Sequence, residues 1–231
     1  MPCATSSSGP SAIRPDVVGR YAVMVDLHGR PCLVVGGGMV ATRKVRGLLD
    51  AGAEVTVNAP VLSPSLAELA TTGAITWIEA PYTVLGRSPD ERRWVLVVAA
   101  TDAPDVNDRV AADAERAGVW ANHAGAPDGG PVSVPSVAAD GPLTVAVSTD
   151  GIHPGAARWL ADQALASLGP EPAVALRLIH ELRLEDRQAG GPGRRPDWRR
   201  AVDSGTLDLI RAGLTAEAKE RLQACLSSSL D

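Results

Sequence analysis

The chain has 231 residues, of which 45% are hydrophobic, and its formal net charge at neutral pH is −5. This length suits one large domain or a domain with appendages, and the negative net charge makes nucleic acid an unexpected partner. Cys3, Cys32 and Cys225 are far apart without a CxxC spacing, which argues against a disulfide framework or a zinc cluster.

The first residues of the chain do not have the pattern of a signal peptide. Residues 1–16 are rich in Ser, Pro and Gly and lack a cleavable hydrophobic region, so they are predicted to be a disordered tail. No apolar run approaches the roughly 20 residues that a membrane helix needs. We therefore expect a cytoplasmic protein that binds neither membrane nor nucleic acid.

Short apolar segments alternate with helical segments as far as residue 128. Strands are predicted at 31–35, 54–58, 75–78, 94–100 and 119–122. Helices are predicted at 40–51, 65–71 and 105–117. This alternation predicts an α/β fold, a Rossmann-like doubly wound parallel sheet, over residues 17–128.

The pattern changes after residue 128. Two apolar segments, 132–137 and 143–148, flank Ala139-Asp-Gly-Pro142 and predict a β-hairpin within residues 129–150. A hairpin leaves strand edges that partner subunits commonly cover, so this part is predicted to be a small β dimerisation segment. Residues 151–231 are predicted to be a helical C-terminal region, with helices at 156–168, 173–187, 197–204, 205–213 and 215–227.

The turn after the first strand carries a dinucleotide-binding pattern, Gly36-x-Gly38-x-x-Ala41. Gly36 permits the tight turn, Gly38 lets the backbone approach a pyrophosphate, and Ala41 keeps helix and strand close. The free N–H groups of the following helix attract phosphate. We predict an NAD site here; the alternative is a purely structural glycine turn.

Residues at the ends of other strands extend this predicted site. Asn58 closes the second strand 22 residues after Gly36, where a polar side chain reads the ribose, and its amide is compatible with NADP as well. Asp102 is predicted to approach the cofactor, and its alternative role is to cap the next helix. The complete predicted cofactor set is Gly36, Gly37, Gly38, Met39, Val40, Asn58, Ala59, Thr101, Asp102 and Asn107.

In order and spacing, several segments resemble the precorrin-2 dehydrogenase/sirohydrochlorin ferrochelatase family, which makes the last steps toward sirohaem. The matching segments are 31–44, 51–58, 99–102 with 106–107, 134–136 and 141–148. The resemblance implies an NAD-dependent dehydrogenase that oxidises precorrin-2, a carboxylate-rich tetrapyrrole, to sirohydrochlorin. It also implies a homodimer whose β and helical segments enclose the substrate. Some members of the family insert iron as well.

One motif departs from that family. The family carries an acid/base aspartate in an Asn-x-x-Asp-x-Pro stretch, whereas this chain reads Asn122-His-Ala-Gly125-Ala-Pro127. Gly125 cannot move a proton or ligate a metal. Two alternatives therefore stand beside the dehydrogenase: a diverged paralogue acting on another substrate in specialised metabolism, and a non-catalytic NAD(H)- or tetrapyrrole-binding protein.

Three residues are candidates for the missing catalytic group: His123, Asp128 and Ser148. His123 carries an imidazole, a type of side chain that can act as a general base, and on a continuing strand it points the same way as residue 125; its alternative is a loop histidine that bonds backbone. Asp128 either swings into the site or stays solvated, and Ser148 either bonds a substrate carboxylate or caps a turn.

Substrate-binding residues are expected along the same segments. The predicted set is Asn122, Gly125, Ser136, Ser148 and His153. The alternative for His153 is a solvated histidine at a helix start. No metal ligands are predicted, because nothing near His153 supplies three convergent ligands.

Overall fold

The computed structural model describes residues 20–126, 130–190 and 204–227. Its main body is a five-stranded parallel sheet in the order β3-β2-β1-β4-β5. The strands are β1 Pro31–Val35, β2 Glu54–Asn58, β3 Thr76–Ile78, β4 Leu96–Ala99 and β5 Trp120–His123. The helices between them are α1 Met39–Asp50, α2 Pro64–Thr71 and α3 Pro104–Arg116. The predicted Rossmann-like sheet is confirmed, with β1 and β2 at the predicted residues.

Strand β1 is buried along its whole length, as its unbroken apolar sequence requires for a strand covered on both faces. Cys32 and Val34 pack with α1 residues, while Leu33 and Val35 belong to the core on the α3 side. Burial raises the pKa of the Cys32 thiol to about 11, so Cys32 is a neutral core side chain at physiological pH.

The strand order sets where a ligand can bind. Strand β1 pairs with β2 on one side and with β4 on the other. The sheet is therefore extended in one direction by β2 and β3 and in the opposite direction by β4 and β5, and the switch point lies between β1 and β4. Helices α1 and α3 consequently cover opposite faces of the sheet. The crevice at the carboxyl ends of β1 and β4 is the place where open α/β sheets bind their ligands.

A hairpin follows the sheet, but its first strand begins later than predicted. Strands β6 Ser136–Asp140 and β7 Leu143–Val147 are antiparallel and are joined by a two-residue turn. The prediction of a strand over 132–137 was wrong for residues 132–135, because they lie outside β6 and Val132 bonds to β5 instead. There, Val132 donates its N–H to the Ala121 carbonyl at 3.1 Å.

The C-terminal region is helical, as predicted. Its helices are α4 Pro154–Leu168, α5 Glu171–Gln188, α6 Ser204–Arg211 and α7 Thr215–Ser227. Helix α4 packs on the hairpin, and Arg158 donates to the Val137 carbonyl at 3.2 Å. The last three helices share a separate small core that includes Leu178, Leu182 and Leu222.

Some predictions concern parts of the chain that the structure does not describe. The expected tail over 1–16, residues 197–203 of the expected helix over 197–204, and Asp128 lie outside the described residues. The domain boundaries near residues 128 and 150 stay predictions. No helix in the described ranges is both long and apolar enough to cross a membrane.

Candidate cofactor and active site

The β1–α1 turn requires glycine at two successive positions. Gly36 has a φ of +125°, a conformation that L side chains rarely adopt. A Cβ atom on Gly36 would overlap the Ala100 carbonyl, and one on Gly37 would overlap the Val61 carbonyl. The turn is therefore held tightly between the connections that follow β4 and β2.

Gly38 differs from these two glycines because it faces open space. No atom of the described residues lies within 4 Å of the position that its Cβ would take, and Met39 is 83% exposed. Gly38 is the N-cap of α1 and provides no side-chain cap. In the described part of the chain nothing accepts a hydrogen bond from the N–H groups of Met39, Val40 and Ala41. An uncapped helix start that is open to solvent can bind a phosphate.

The turn is also held from behind by two hydroxyl groups. Thr42 donates its Oγ1–H to the Gly38 carbonyl at 2.9 Å, and its Oγ1 lies 2.9 Å from Ser63 Oγ. The N–H of Ser63 donates to the Gly37 carbonyl at 2.8 Å. The sequence analysis missed Thr42 and Ser63, although a Ser directly before Pro64 is a helix-start signal that could have identified Ser63.

Asn58 lies at the predicted ribose position, but part of its side chain is used within the protein. Its Nδ2 donates to the carbonyls of Ile78 at 3.3 Å and Ala80 at 2.7 Å. Among the residues that the structure describes none donates to Oδ1, so this oxygen can accept a hydrogen bond from a ligand. Ala59 is buried, and its carbonyl accepts from Trp77 Nε1 at 2.9 Å.

Asn107 holds the loop after β4. Its Nδ2 donates to the Thr101 carbonyl at 3.0 Å, and its Oδ1 accepts from the Thr101 N–H at 3.0 Å. Asn107 is buried, so we interpret it as a residue that positions Thr101. Asp102 is exposed, and the N-cap of α3 is Ala103, so the alternative of Asp102 as the helix cap was wrong.

The end of β5 carries two adjacent buried polar side chains, which point to opposite faces of the sheet. Asn122 donates from Nδ2 to the Val132 carbonyl at 2.8 Å, and its Oδ1 is buried without a partner in the described part of the protein. His123 is 7% exposed, and its Nδ1 accepts the N–H of Gly125 at 3.2 Å. This bond is the backbone contact expected from the loop-histidine alternative.

Strand β5 ends at His123, so the strand does not continue to residue 125. A Cβ atom on Gly125 would nevertheless lie 3.4 Å from His123 Cε1 and 3.9 Å from Asn107 Nδ2. A side chain at position 125 would thus stand against the imidazole. The structure brings together Gly125, His123 and Asn107 at the carboxyl edge of the sheet.

The other predicted substrate residues lie in the hairpin and at the start of α4. Ser136 begins β6. Ser148 accepts the N–H of Asp150 at 3.3 Å, which is the turn-capping alternative. His153 is the N-cap of α4, and its Nδ1 accepts the N–H of Ala156 at 3.1 Å, so this histidine does start a helix. In the described ranges no hydrogen bond joins these three residues to the β1–α1 turn.

Comparisons with known proteins agree with this geometry. Residues 23–136 match a family described as "Putative NAD(P)-binding". The chain is 40% identical to Siroheme synthase 1 of Aeromonas salmonicida (strain A449) over 184 residues, covering 78% of this chain and 38% of the relative. It is 36% identical to the Siroheme synthase of Nitrosococcus oceani over 207 residues, covering 88% and 43%. The chain thus spans about two fifths of the length of these relatives.

A solved structure is similar over nearly its whole length. It is described as "SirC, precorrin-2 dehydrogenase", and it superposes with a TM-score of 0.62 at 25% sequence identity. The match covers 89% of this chain and 98% of that chain. The likeness therefore includes the hairpin and helices that follow the sheet.

Proposed function

We propose that this chain, a homologue of the siroheme synthases and of the precorrin-2 dehydrogenase SirC, is itself an NAD-dependent dehydrogenase that oxidises precorrin-2 to sirohydrochlorin. The observation that carries the proposal is the open β1–α1 turn. Its uncapped N–H groups, at Met39, Val40 and Ala41, stand where a dinucleotide pyrophosphate binds in this fold. The proposed enzyme acts in the cytoplasm.

Residues on both sides of the turn would hold NAD. Gly38 leaves room for the pyrophosphate, and Asn58 Oδ1 is the acceptor for the adenosine ribose. The loop at Thr101, which Asn107 holds in place, forms the neighbouring wall. When bound, NAD supplies the hydride acceptor. The protein contributes orientation, exclusion of water and a group that takes the proton.

The substrate would lie beyond the end of β5. Its proposed contacts are Asn122, Gly125, Ser136, Ser148 and His153. The buried, unpartnered Oδ1 of Asn122 supports a polar contact there, since buried acceptors are normally satisfied. Iron insertion is a further possible activity of the same site.

We propose a homodimer as the working form. Strands β6 and β7 form a sheet of only two strands, which is marginally stable alone and leaves both outer edges without a strand partner in the described part of the chain. Helix α4, which packs on this sheet, exposes Trp159 and Leu160. A second copy of the chain would cover this apolar surface.

Turnover of precorrin-2 tests the proposed function directly. We expect the purified protein to form one NADH for each precorrin-2 consumed, followed by NADH absorbance and the spectrum of sirohydrochlorin. Adding Fe²⁺ to the product in a parallel reaction tests iron insertion. NAD binding without any NADH formation would contradict the dehydrogenase.

Gly125 favours one second candidate, a diverged relative that uses the same cofactor site on another substrate. The backbone at Gly125 does not have a positive φ, and a Cβ there makes only ordinary contacts, so Gly125→Asp fits the fold. If only Gly125→Asp oxidises precorrin-2, the natural chain has lost that reaction. If the natural chain oxidises it as well, the second candidate is wrong.

A further inference from the structure

His123 is unusual among the histidines that the structure describes, because His28, His153 and His180 are exposed whereas His123 is buried. Its Nδ1 accepts the N–H of Gly125, so the proton of the neutral imidazole is assigned to Nε2. Nε2 has no aligned acceptor in the described part of the chain. A buried N–H donor without a partner is costly and calls for an explanation.

The carboxylate of Asp108 lies next to this donor. Asp108 Oδ1 is 3.3 Å from His123 Nε2, and the Asp108 side chain is 76% exposed while that of His123 is 4% exposed. It is the one carboxylate within ion-pair distance of His123 in the described ranges, and it makes no other ion pair there. One side of the carboxylate therefore faces the imidazole and the other side faces solvent.

This carboxylate lies close to the place where Gly125 provides no side chain. A Cβ on Gly125 would contact His123 Cε1, and Cε1 is bonded to the Nε2 atom that faces Asp108. The neighbouring residue on α3, Asn107, holds the loop at the end of β4. The exposed carboxylate of Asp108 on α3 thus lies at the carboxyl edge of the sheet, beside the space that a side chain at position 125 would occupy.

We propose that Asp108 takes the proton in the dehydrogenation and that His123 is its positioning residue. This inference rests on the proposed function. With NAD bound as the hydride acceptor, the macrocycle would give up a hydride to NAD and a proton from the neighbouring atom to the Asp108 carboxylate. Two bonds to hydrogen therefore break, one that releases the hydride and one that releases the proton, a double bond forms in the ring, and NAD becomes NADH. His123 Nε2–H holds the carboxylate, and the hydrogen bond aligns when substrate is bound.

The inference is tested by Asp108→Ala and Asp108→Asn, compared with Asp105→Asn, which changes an exposed acid on the same helix. We expect kcat to fall about 100-fold or more in both Asp108 variants, the range for loss of a general base, and to change less than about twofold in Asp105→Asn. The Kd for NAD and the Tm should stay at the values of the natural chain. Formate should restore part of the kcat of Asp108→Ala, because the position is exposed and a small carboxylate can enter.

The role of His123 is tested by a conservative pair. His123→Gln keeps an N–H donor and should retain more kcat than His123→Leu, with the same KM for precorrin-2. Asp108 variants with natural kcat, or Asp108→Ala without rescue by formate, would overturn the inference and leave the dehydrogenase standing. If the natural chain binds NAD but oxidises nothing, both proposals fail.

Discussion

Three successive glycines in the β1–α1 turn have different physical roles. Gly36 and Gly37 are required by the fold, because side chains there would overlap main-chain carbonyls. The described part of the fold does not require Gly38, since its Cβ would meet none of the described atoms within 4 Å and its φ is −85°. The third glycine therefore points to a ligand, and the first two point to a tightly packed turn.

This difference yields a prediction at Gly38. Gly38→Ala should leave the Tm unchanged but lower the affinity for NAD by about tenfold or more, because the new methyl group occupies the approach of the pyrophosphate. Isothermal titration with NAD measures the effect. Gly47→Ala is the control, since Gly47 lies in α1 with nothing near its Cβ. It should raise stability by up to about 1 kcal/mol without changing the Kd. Equal affinity in both variants would argue against a pyrophosphate at Gly38.

A second residue-scale prediction concerns Tyr82, whose hydroxyl donates to the buried Asp113 carboxylate at 2.7 Å. Burial and this hydrogen bond raise the pKa of Tyr82. Tyr82→Phe should lower the free energy of unfolding by about 1.5–3 kcal/mol, since the hydrogen bond is to a charged group. Tyr21→Phe is the matched control, because Tyr21 is 91% exposed. Urea denaturation measures both.

The pH dependence follows from the sign of the Tyr82 shift. A raised folded pKa means that the stabilisation by the hydroxyl is complete below the ordinary tyrosine value of about 10 and is lost as the pH rises toward the folded value. The difference in stability between the natural chain and Tyr82→Phe should therefore shrink above about pH 10. A difference that grows with pH would contradict this account.

At the scale of elements, the spacing of apolar residues predicted most of the sheet, because the central strands are buried on both faces and the helices bury one face. Strands β1 and β4 are continuously apolar, and α3 presents Val110 and Ala114 to the sheet. The β6 boundary was missed for a specific reason. Val132 and Val134 resemble a strand by composition, but Val132 pairs with the edge of β5, and no local pattern encodes that distant partner.

Helix α2 allows a prediction at this scale. Ser63 caps α2 by accepting the N–H of Leu66 at 3.4 Å and also contacts Thr42 behind the glycine turn. Ser63→Ala should cost about 1 kcal/mol of stability, as for other N-caps, and should weaken NAD binding a few-fold because the turn is held less firmly. Ser65→Ala, the same change inside α2, should do neither. Thermal denaturation and NAD titration distinguish the two, and equal effects would refute the capping role.

At the scale of the whole molecule, one copy of the chain leaves an apolar surface on α4 and the hairpin exposed to solvent. Trp159 is 61% exposed on α4. Trp159→Glu should convert the proposed dimer into a monomer in sedimentation velocity, because a charge would be buried at the interface. The control is Trp120→Glu, on β5 at the edge of the other sheet, which should remain dimeric. A natural chain that sediments as a monomer at micromolar concentration would contradict the proposed dimer.

The amino-acid sequence by itself determined the alternation of strands and helices, the glycine turn and the general place of the candidate cofactor site. These features depend on local spacing and on the steric freedom of glycine, which are visible along the chain. Only the tertiary structure decided that the Asn107 side chain holds the Thr101 backbone by hydrogen bonds, that His123 accepts from the Gly125 N–H, and that Asp108 lies beside His123. The first two contacts depend on how the loops after β4 and β5 fold, and the contact of Asp108 with His123 depends on how α3 packs on the sheet beside β5. Spacing along the chain therefore could not reveal them.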